Sequence, residues 1–103
     1  MTTIDKIRAK MPEEELLCQL AEEAAELAQA ALKLRRCLTR VNPTPTPLEE
    51  AEANLREELA DVRLVAEVLD RGTRIQNQLD SIAAGKMGRW EKRLEAQNNV
   101  GKN

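Results

Sequence analysis

Two long stretches of the chain carry apolar residues at alternating spacings of four and three, which places them on one face of an α-helix. The first seam is Leu16, Leu20, Glu23, Leu27, Ala30, Leu34 and Cys37, and the second is Leu48, Ala51, Leu55, Glu58, Val62, Val65 and Leu69. Each seam contains one interior carboxylate, Glu23 or Glu58. A carboxylate against an apolar interface is costly unless it is paired, hydrogen-bonded or bound to metal. The pattern predicts two amphipathic helices, each with one carboxylate inside its apolar face.

Each seam carboxylate has a second acid close by. Glu26 and Asp61 each follow it by three residues, so each helix presents two acids on neighbouring turns. Four carboxylates brought together would repel one another, and we expect a cation between them. The chain has no histidine, and no cysteine is expected beside the four acids. Oxygen ligands suit Mg²⁺, or alternatively Mn²⁺, better than zinc.

The composition predicts an all-α fold. Of the 103 residues, 42% are hydrophobic, 33% are charged and only Trp90 is aromatic, which fits an antiparallel helical bundle built on leucine and alanine. We expect one domain over residues 1–103. Because so short a chain buries a modest core, we also expect homo-oligomerisation to complete a four-helix-type core.

Charge and hydropathy exclude two classes of partner. The net charge is −2 and the basic residues form no block, so we expect no nucleic-acid polymer as a partner. No stretch is long and apolar enough to span a bilayer, and the first residues lack the apolar core of a signal peptide. A cytoplasmic location without membrane contact is expected.

Capping residues, prolines and glycines predict where the elements begin and end, with Gly72 expected to end the second long helix. The predicted elements are a short helix at 2–10, a helix at 12–40, a proline-rich loop at 42–47, a helix at 47–71, a basic helix at 74–96 and a frayed tail at 97–103.

The acidic motifs resemble those of a known family. Glu22-Glu23-Ala24-Ala25-Glu26 and Glu58-Leu59-Ala60-Asp61 are similar to the EExxE and ExxD signature of the MazG-like, all-α nucleoside triphosphate pyrophosphohydrolases. The likeness extends over about residues 13–94, although the interval between the motifs is longer than is usual in that family.

The resemblance implies a reaction and a set of roles. Mg²⁺ would be coordinated by Glu23, Glu26, Glu58 and Asp61, and a nucleoside triphosphate would be hydrolysed between its α- and β-phosphates to a monophosphate and pyrophosphate, a reaction that removes unwanted nucleotides. Glu22 is the candidate for orienting or deprotonating the attacking water. A homodimer or a tetramer is implied as well.

Basic residues are candidates for binding the phosphates. Lys86, Arg89 and Arg93 share one face of the last predicted helix, and the family uses bases on that helix in this way. They could equally be surface bases paired with neighbouring glutamates. Trp90 could stack on a base or anchor a core or interface. The bases at the end of the first long helix fit the negative end of the helix dipole, and a functional role for them stays open. They are Lys33, Arg35, Arg36 and Arg40.

Three other functions stay open. The acids could be solvated glutamates of a bundle or coiled coil without a ligand. The chain could be a non-catalytic module that binds a partner helix. It could also hydrolyse a pyrophosphate linkage in a substrate other than a nucleoside triphosphate.

Overall fold

The computed structural model describes residues 1–73 and 76–101 of the chain, and everything it describes as regular structure is helical. The helices are α1 (Thr3–Lys10), α2 (Glu13–Thr39), α3 (Leu48–Thr73) and α4 (Gln76–Gly101). No strand occurs among the described residues, which confirms the all-α prediction.

The chain divides into two compact units, Met1–Gly72 and Thr73–Asn103. The first unit contains α1, α2 and most of α3, and its helix packing is consistent with a bundle. The second contains α4. The single domain expected over residues 1–103 stays a prediction.

Helix α1 is capped at its start and docked at its end. The Thr2 hydroxyl accepts a hydrogen bond from the Asp5 backbone N–H at 3.2 Å, and the Asp5 carboxylate accepts one from the Thr2 N–H at 3.1 Å. This reciprocal capping box satisfies two free backbone donors. The Arg8 guanidinium donates to the carbonyls of Val68 and Leu69 at 2.9 and 3.2 Å. A cation near the carbonyl end of a helix is favourable, so Arg8 fastens α1 to α3.

Helices α2 and α3 run antiparallel. The Cys37 thiol, near the end of α2, donates to the carbonyl of Thr46, just before α3 begins. Further along, carboxylate oxygens of Glu23 and Asp61 lie within 4.8 Å. Residues with lower numbers in α2 therefore lie beside residues with higher numbers in α3. Arg40, with φ of 60°, ends α2 in a left-handed conformation that turns the chain into the proline-rich loop.

The core of the first unit lies between the two seams. Its buried apolar side chains are the seam residues Leu16, Ala30 and Ala51, together with Val68, which directly precedes the seam residue Leu69. The remaining seam residues are half-buried, as the helical spacing predicts, except that Leu48 is 39% exposed at the first turn of α3. Small side chains at positions 30 and 51 let the two helix backbones approach closely, and this approach brings the acids on their flanks together.

Several helix ends differ from the predicted ones, and α1 and α3 each begin one residue later than predicted. Helix α2 is one residue shorter at each end than predicted. Helix α3 passes through Gly72 to Thr73, because glycine permits a left-handed end without requiring one. Helix α4 continues to Gly101, so residues 97–101 are helical where a frayed tail was expected. Their lack of apolar periodicity does not prevent helical hydrogen bonding, and no proline interrupts them. Residues 74, 75, 102 and 103, at the ends of the predicted segments, lie outside the described residues.

Helix α4 is a solvent-facing helix in its own unit. The side chains at residues 76–98 are all exposed. They include large apolar ones, exposed by 41% to 66%: Leu79, Ile82, Met87, Trp90 and Leu94. Gly85 and Gly88 sit within the helix without ending it.

The packing of Ala51 generates a stability prediction. Ala51 is 1% exposed, whereas Ala53 on the same helix is exposed. Ala51→Leu should lower the free energy of unfolding by about 1–3 kcal/mol, because the added atoms overpack the seam. The matched control Ala53→Leu should change it by less than about 0.5 kcal/mol. Urea unfolding followed by circular dichroism measures both, and equal losses would contradict this packing.

Candidate metal centre

Four carboxylates from α2 and α3 converge in the first unit. One oxygen from each of Glu23, Glu26, Glu58 and Asp61 lies within 4.8 Å of the others, and the group could hold a metal ion. The two seam acids are half-buried and the two flanking acids are exposed, so the cluster has a buried side and an open side. The antiparallel seams produce this arrangement, because they place the interior glutamate of one helix against that of the other.

The seam acids have oxygens that protein donors leave unsatisfied. Gln19, one turn before Glu23, donates from Nε2 to Glu23 Oε1 at 2.8 Å. Glu23 Oε2 and Glu58 Oε2 are buried and accept no hydrogen bond. A buried acceptor without a partner is destabilising, and a cation at the cluster would remove that penalty.

The spacing of the oxygens fits a small divalent ion. Six-coordinate Mg²⁺ has ligands at about 2.1 Å, so oxygens on opposite sides of the ion are about 4.2 Å apart. Four carboxylate oxygens that all lie within 4.8 Å of one another are compatible with ligands of a single ion. The donor set is all carboxylate, which favours Mg²⁺ or Mn²⁺ over softer metals.

The cluster raises the pKa of both seam acids. Burial is the main cause of the raised pKa of Glu23, with further contributions from the charges of Glu26 and Asp61, and the hydrogen bond from Gln19 opposes it. The pKa of Glu58 is raised by burial first, then by the carboxylates of Glu26, Asp61 and Glu23. Both effects favour the neutral acid and are reversed by a cation.

A cavity of about 650 Å³ adjoins the cluster. Glu26 and Glu58 form its acidic wall, and Lys33 and Arg36 of α2 supply positive charge to its lining. The remaining lining residues are Gln29, Ala30, Leu32 and Asn54. The volume lies in the range typical of small-ligand sites. The cavity therefore combines a possible metal site with groups that attract anions.

The sequence interpretation did not place Lys33 and Arg36 at the site. The helix dipole accounts for the bases at the end of α2, and the sequence left a functional role for them open without assigning them to the acids. A signal was nevertheless available, since Lys33 follows Glu26 by seven residues, or two turns, and therefore shares its face. Gln19 was also missed, although it precedes Glu23 by one turn.

The other predicted site residues lie outside the four-acid cluster. Glu22 is exposed, and the Cys18 thiol approaches its Oε1 at 3.9 Å. Lys86, Arg89 and Arg93 are exposed on α4, in the second unit. The catalytic role of Glu22 and the phosphate-binding role of the three α4 bases stay predictions.

The chain matches no protein-family model, no curated protein and no solved structure. The helical fold and the four-acid cluster are compatible with a MazG-like motif. Among the described helices, none has the length and apolarity needed to cross a bilayer.

The raised pKa values determine how stability depends on pH. Each seam acid has a folded pKa above its ordinary value of 4.5, so the folded protein binds protons more tightly than the unfolded chain. The resulting stabilisation is complete below pH 4.5 and is lost as the pH rises through the raised pKa. A divalent cation competes with those protons and has the opposite pH dependence.

We predict that Mg²⁺ raises the melting temperature more at pH 7.5 than at pH 5. An ion at about 100 times its Kd stabilises the folded state by about 2.7 kcal/mol, and protonation of Glu23 and Glu58 reduces that gain. Differential scanning fluorimetry with Mg²⁺ and with EDTA measures it. Glu58→Gln should abolish the shift without unfolding the apo protein, because a repelling charge is removed. The matched control Glu57→Gln, exposed and outside the cluster, should keep the shift. Equal shifts at both pH values would contradict a carboxylate site.

Proposed function

We propose that the protein is a Mg²⁺-dependent pyrophosphohydrolase that cleaves nucleoside triphosphates to the monophosphate and pyrophosphate. The observation that carries the proposal is the convergence of four carboxylates, two with partnerless buried oxygens, at the wall of a cavity that also contains Lys33 and Arg36. An all-acid cluster alone would repel a polyphosphate. A cluster that holds a divalent cation beside basic side chains attracts one.

The four acids would bind the ion from two sides, one buried and one open to solvent. Glu23 and Glu58 would supply buried oxygens in fixed positions, since Gln19 orients Glu23 and the seams enclose both stems. Glu26 and Asp61, on the open side, would complete the set. When bound, Mg²⁺ neutralises phosphate oxygens and stabilises the charge that develops during phosphoryl transfer.

The basic side chains of the cavity would bind the polyphosphate. Arg36 can donate two parallel hydrogen bonds to a phosphate, and Lys33 provides a point charge nearer to Glu26 in sequence. Asn54 and Gln29 add neutral hydrogen-bonding groups to the same lining. The acids would thus bind the cation, and the bases would bind the anionic polyphosphate.

The reaction follows the family that the two motifs resemble. The oxygen of a water molecule forms a bond to the α- or the β-phosphorus, and the bond between that phosphorus and the bridging oxygen breaks. The electron pair stays on the bridging oxygen, which leaves with pyrophosphate after attack at the α-phosphorus or with the monophosphate after attack at the β-phosphorus. Glu22 is proposed to orient this water or to accept its proton, because it adjoins Glu23 and is exposed to solvent. Lys86, Arg89 and Arg93 are proposed as additional phosphate contacts.

We predict Mg²⁺-dependent release of pyrophosphate from at least one ribo- or deoxyribonucleoside triphosphate, with the monophosphate identified by chromatography. Glu58→Gln should lower kcat/KM by at least about 100-fold, since it removes a ligand of the ion that stabilises the transition state. Glu57→Gln should retain activity.

Two results would contradict this proposal. The first is no pyrophosphate from any triphosphate with Mg²⁺ or Mn²⁺. In that case a Mg²⁺-dependent melting shift would indicate a different pyrophosphate substrate, and no shift would indicate a non-catalytic helical module. The second is full activity of Glu58→Gln.

The basic wall of the cavity yields a separate prediction. Lys33→Gln should lower kcat/KM about 10- to 100-fold, the loss expected for one hydrogen bond to a charged group. Arg35→Gln is the matched control, because Arg35 lies on the same turn of α2 but does not line the cavity. Steady-state kinetics for Lys33→Gln, Arg35→Gln and Lys86→Gln show which helix contacts the phosphates. A loss for Lys86→Gln alone would contradict the assignment to Lys33.

A further inference from the structure

A small cavity lies where the end of α2 meets the proline-rich loop that leads to α3. Its volume is about 210 Å³, which is below the range of about 300–1,000 Å³ typical of pockets for drug-sized ligands. Arg36 and Arg40, one helical turn apart, supply positive charge to its lining, and Thr44 and Thr46 supply hydroxyl groups. None of the described residues that line it is acidic. The cavity therefore suits a small anion.

The two guanidinium groups are available to a ligand. Neither Arg36 nor Arg40 makes an ion pair or a side-chain hydrogen bond with another described residue. Arg36 is half-buried, and Arg40 is exposed. Arg40 also has a φ of 60°, at a helix end where glycine is the usual residue. A guanidinium can donate two parallel hydrogen bonds to a phosphate, so these side chains supply both the charge and the donors that a phosphate group requires.

The threonine hydroxyls can donate one further hydrogen bond. The Oγ1 atoms of Thr44 and Thr46 lie 3.3 Å apart, and one of them donates to the other. Each hydroxyl carries one hydrogen, so the hydroxyl that accepts this bond keeps its own hydrogen for a ligand. Both threonines are half-buried, which limits the competition from water.

The loop is stiff and is tied to α2. Pro43, Pro45 and Pro47 alternate with the two threonines, and each proline ring fixes the φ angle of its residue. The Cys37 thiol donates to the Thr46 carbonyl at 3.4 Å, which joins the loop to the last turns of α2. Because the loop is already restrained, binding an anion costs little conformational entropy.

The dipole of α2 does not account for this cavity. It favours bases at the carbonyl end of the helix, but that end by itself repels an anion. Two arginines offset this repulsion. Leu48, the first residue of α3, also lines the cavity, so the positive end of the α3 dipole adjoins the same space. The balance of charge around the cavity is therefore favourable for an anion.

We propose that this cavity binds a phosphate group through Arg36, Arg40 and the hydroxyls of Thr44 and Thr46. The group can belong to free phosphate or pyrophosphate, or to the end of a polyphosphate chain, because Arg36 also lines the 650 Å³ cavity beside the acids. The proposal does not rest on the proposed function, since no carboxylate and no metal ion takes part in it.

Calorimetric titration of the full chain with inorganic phosphate, and separately with pyrophosphate, tests the site. EDTA in the buffer removes metal ions, so binding reports the basic groups alone. The wild-type chain should bind both anions. Arg40→Gln should raise each Kd about tenfold or more, the loss expected for a hydrogen bond to a charged group. Arg40 is the informative residue because it does not line the 650 Å³ cavity.

Two further variants complete the test. Thr44→Val keeps the shape of the side chain and should raise the Kd about three- to tenfold through the lost hydroxyl. Arg35→Gln is the matched control, because Arg35 is exposed at the same end of α2 and lines neither cavity. At about 0.15 M salt, where charges are screened over about 8 Å, it should change the Kd by less than about twofold.

Circular dichroism verifies that each variant is folded. A wild-type chain that binds neither anion would overturn the proposal. Equal increases of Kd for Arg35→Gln and Arg40→Gln would also overturn it, because they would show attraction by the general surface charge.

Nucleotide binding identifies the source of the phosphate group. The probe is a nucleoside triphosphate, titrated with Mg²⁺, in which a methylene group replaces the oxygen between the α- and β-phosphates and prevents cleavage. A raised Kd in Arg40→Gln would place its terminal phosphate in this cavity, and an unchanged Kd would assign the cavity to a free anion. A chain that binds phosphate in EDTA but not this nucleotide would contradict the proposed function and still support the phosphate site.

Discussion

The rest of the first unit depends on one constraint, the mutual repulsion of four carboxylates of which two are half-buried. Glu23 Oε2 and Glu58 Oε2 are buried without a donor, and burial raises the pKa of both side chains. Only Gln19 donates to either seam acid among the described hydrogen bonds. The packing around the four carboxylates opposes their repulsion. The small buried side chains of Ala30 and Ala51 leave room for α2 and α3 to approach each other, and Arg8 binds α1 to the far end of α3. A binding site of this kind lowers the folding stability of the unliganded protein, and a bound ligand raises it again.

Helix α2 carries both kinds of charge that a polyphosphate site needs. Its middle supplies Glu26 to the cluster, and its last turns supply Lys33 and Arg36 to the adjoining cavity. The same bases are favourable at that end of the helix because the dipole is negative there. The helix dipole alone therefore accounts for bases at this end of α2. For that reason their position in the sequence does not reveal that Lys33 and Arg36 also lie beside the acids.

Helix α3 has two faces of different composition. One face carries the apolar seam with Glu58, and the other carries exposed leucines between charges of opposite sign.

The sequence by itself determined the helices, both seams and the identity of the four acids, because a period of 3.6 residues fixes which side chains share a face. Helix ends were less certain: Gly72 lies inside α3, and α4 extends to Gly101, since neither a single glycine nor a lack of apolar residues forbids helical hydrogen bonds. Only the tertiary structure decided that Lys33 and Arg36 line one cavity with Glu58 of α3, and that two carboxylate oxygens are left without donors. Those facts depend on the distance between the axes of α2 and α3. That distance is set by side chains that lie far apart in the chain, so no local spacing in the sequence encodes it.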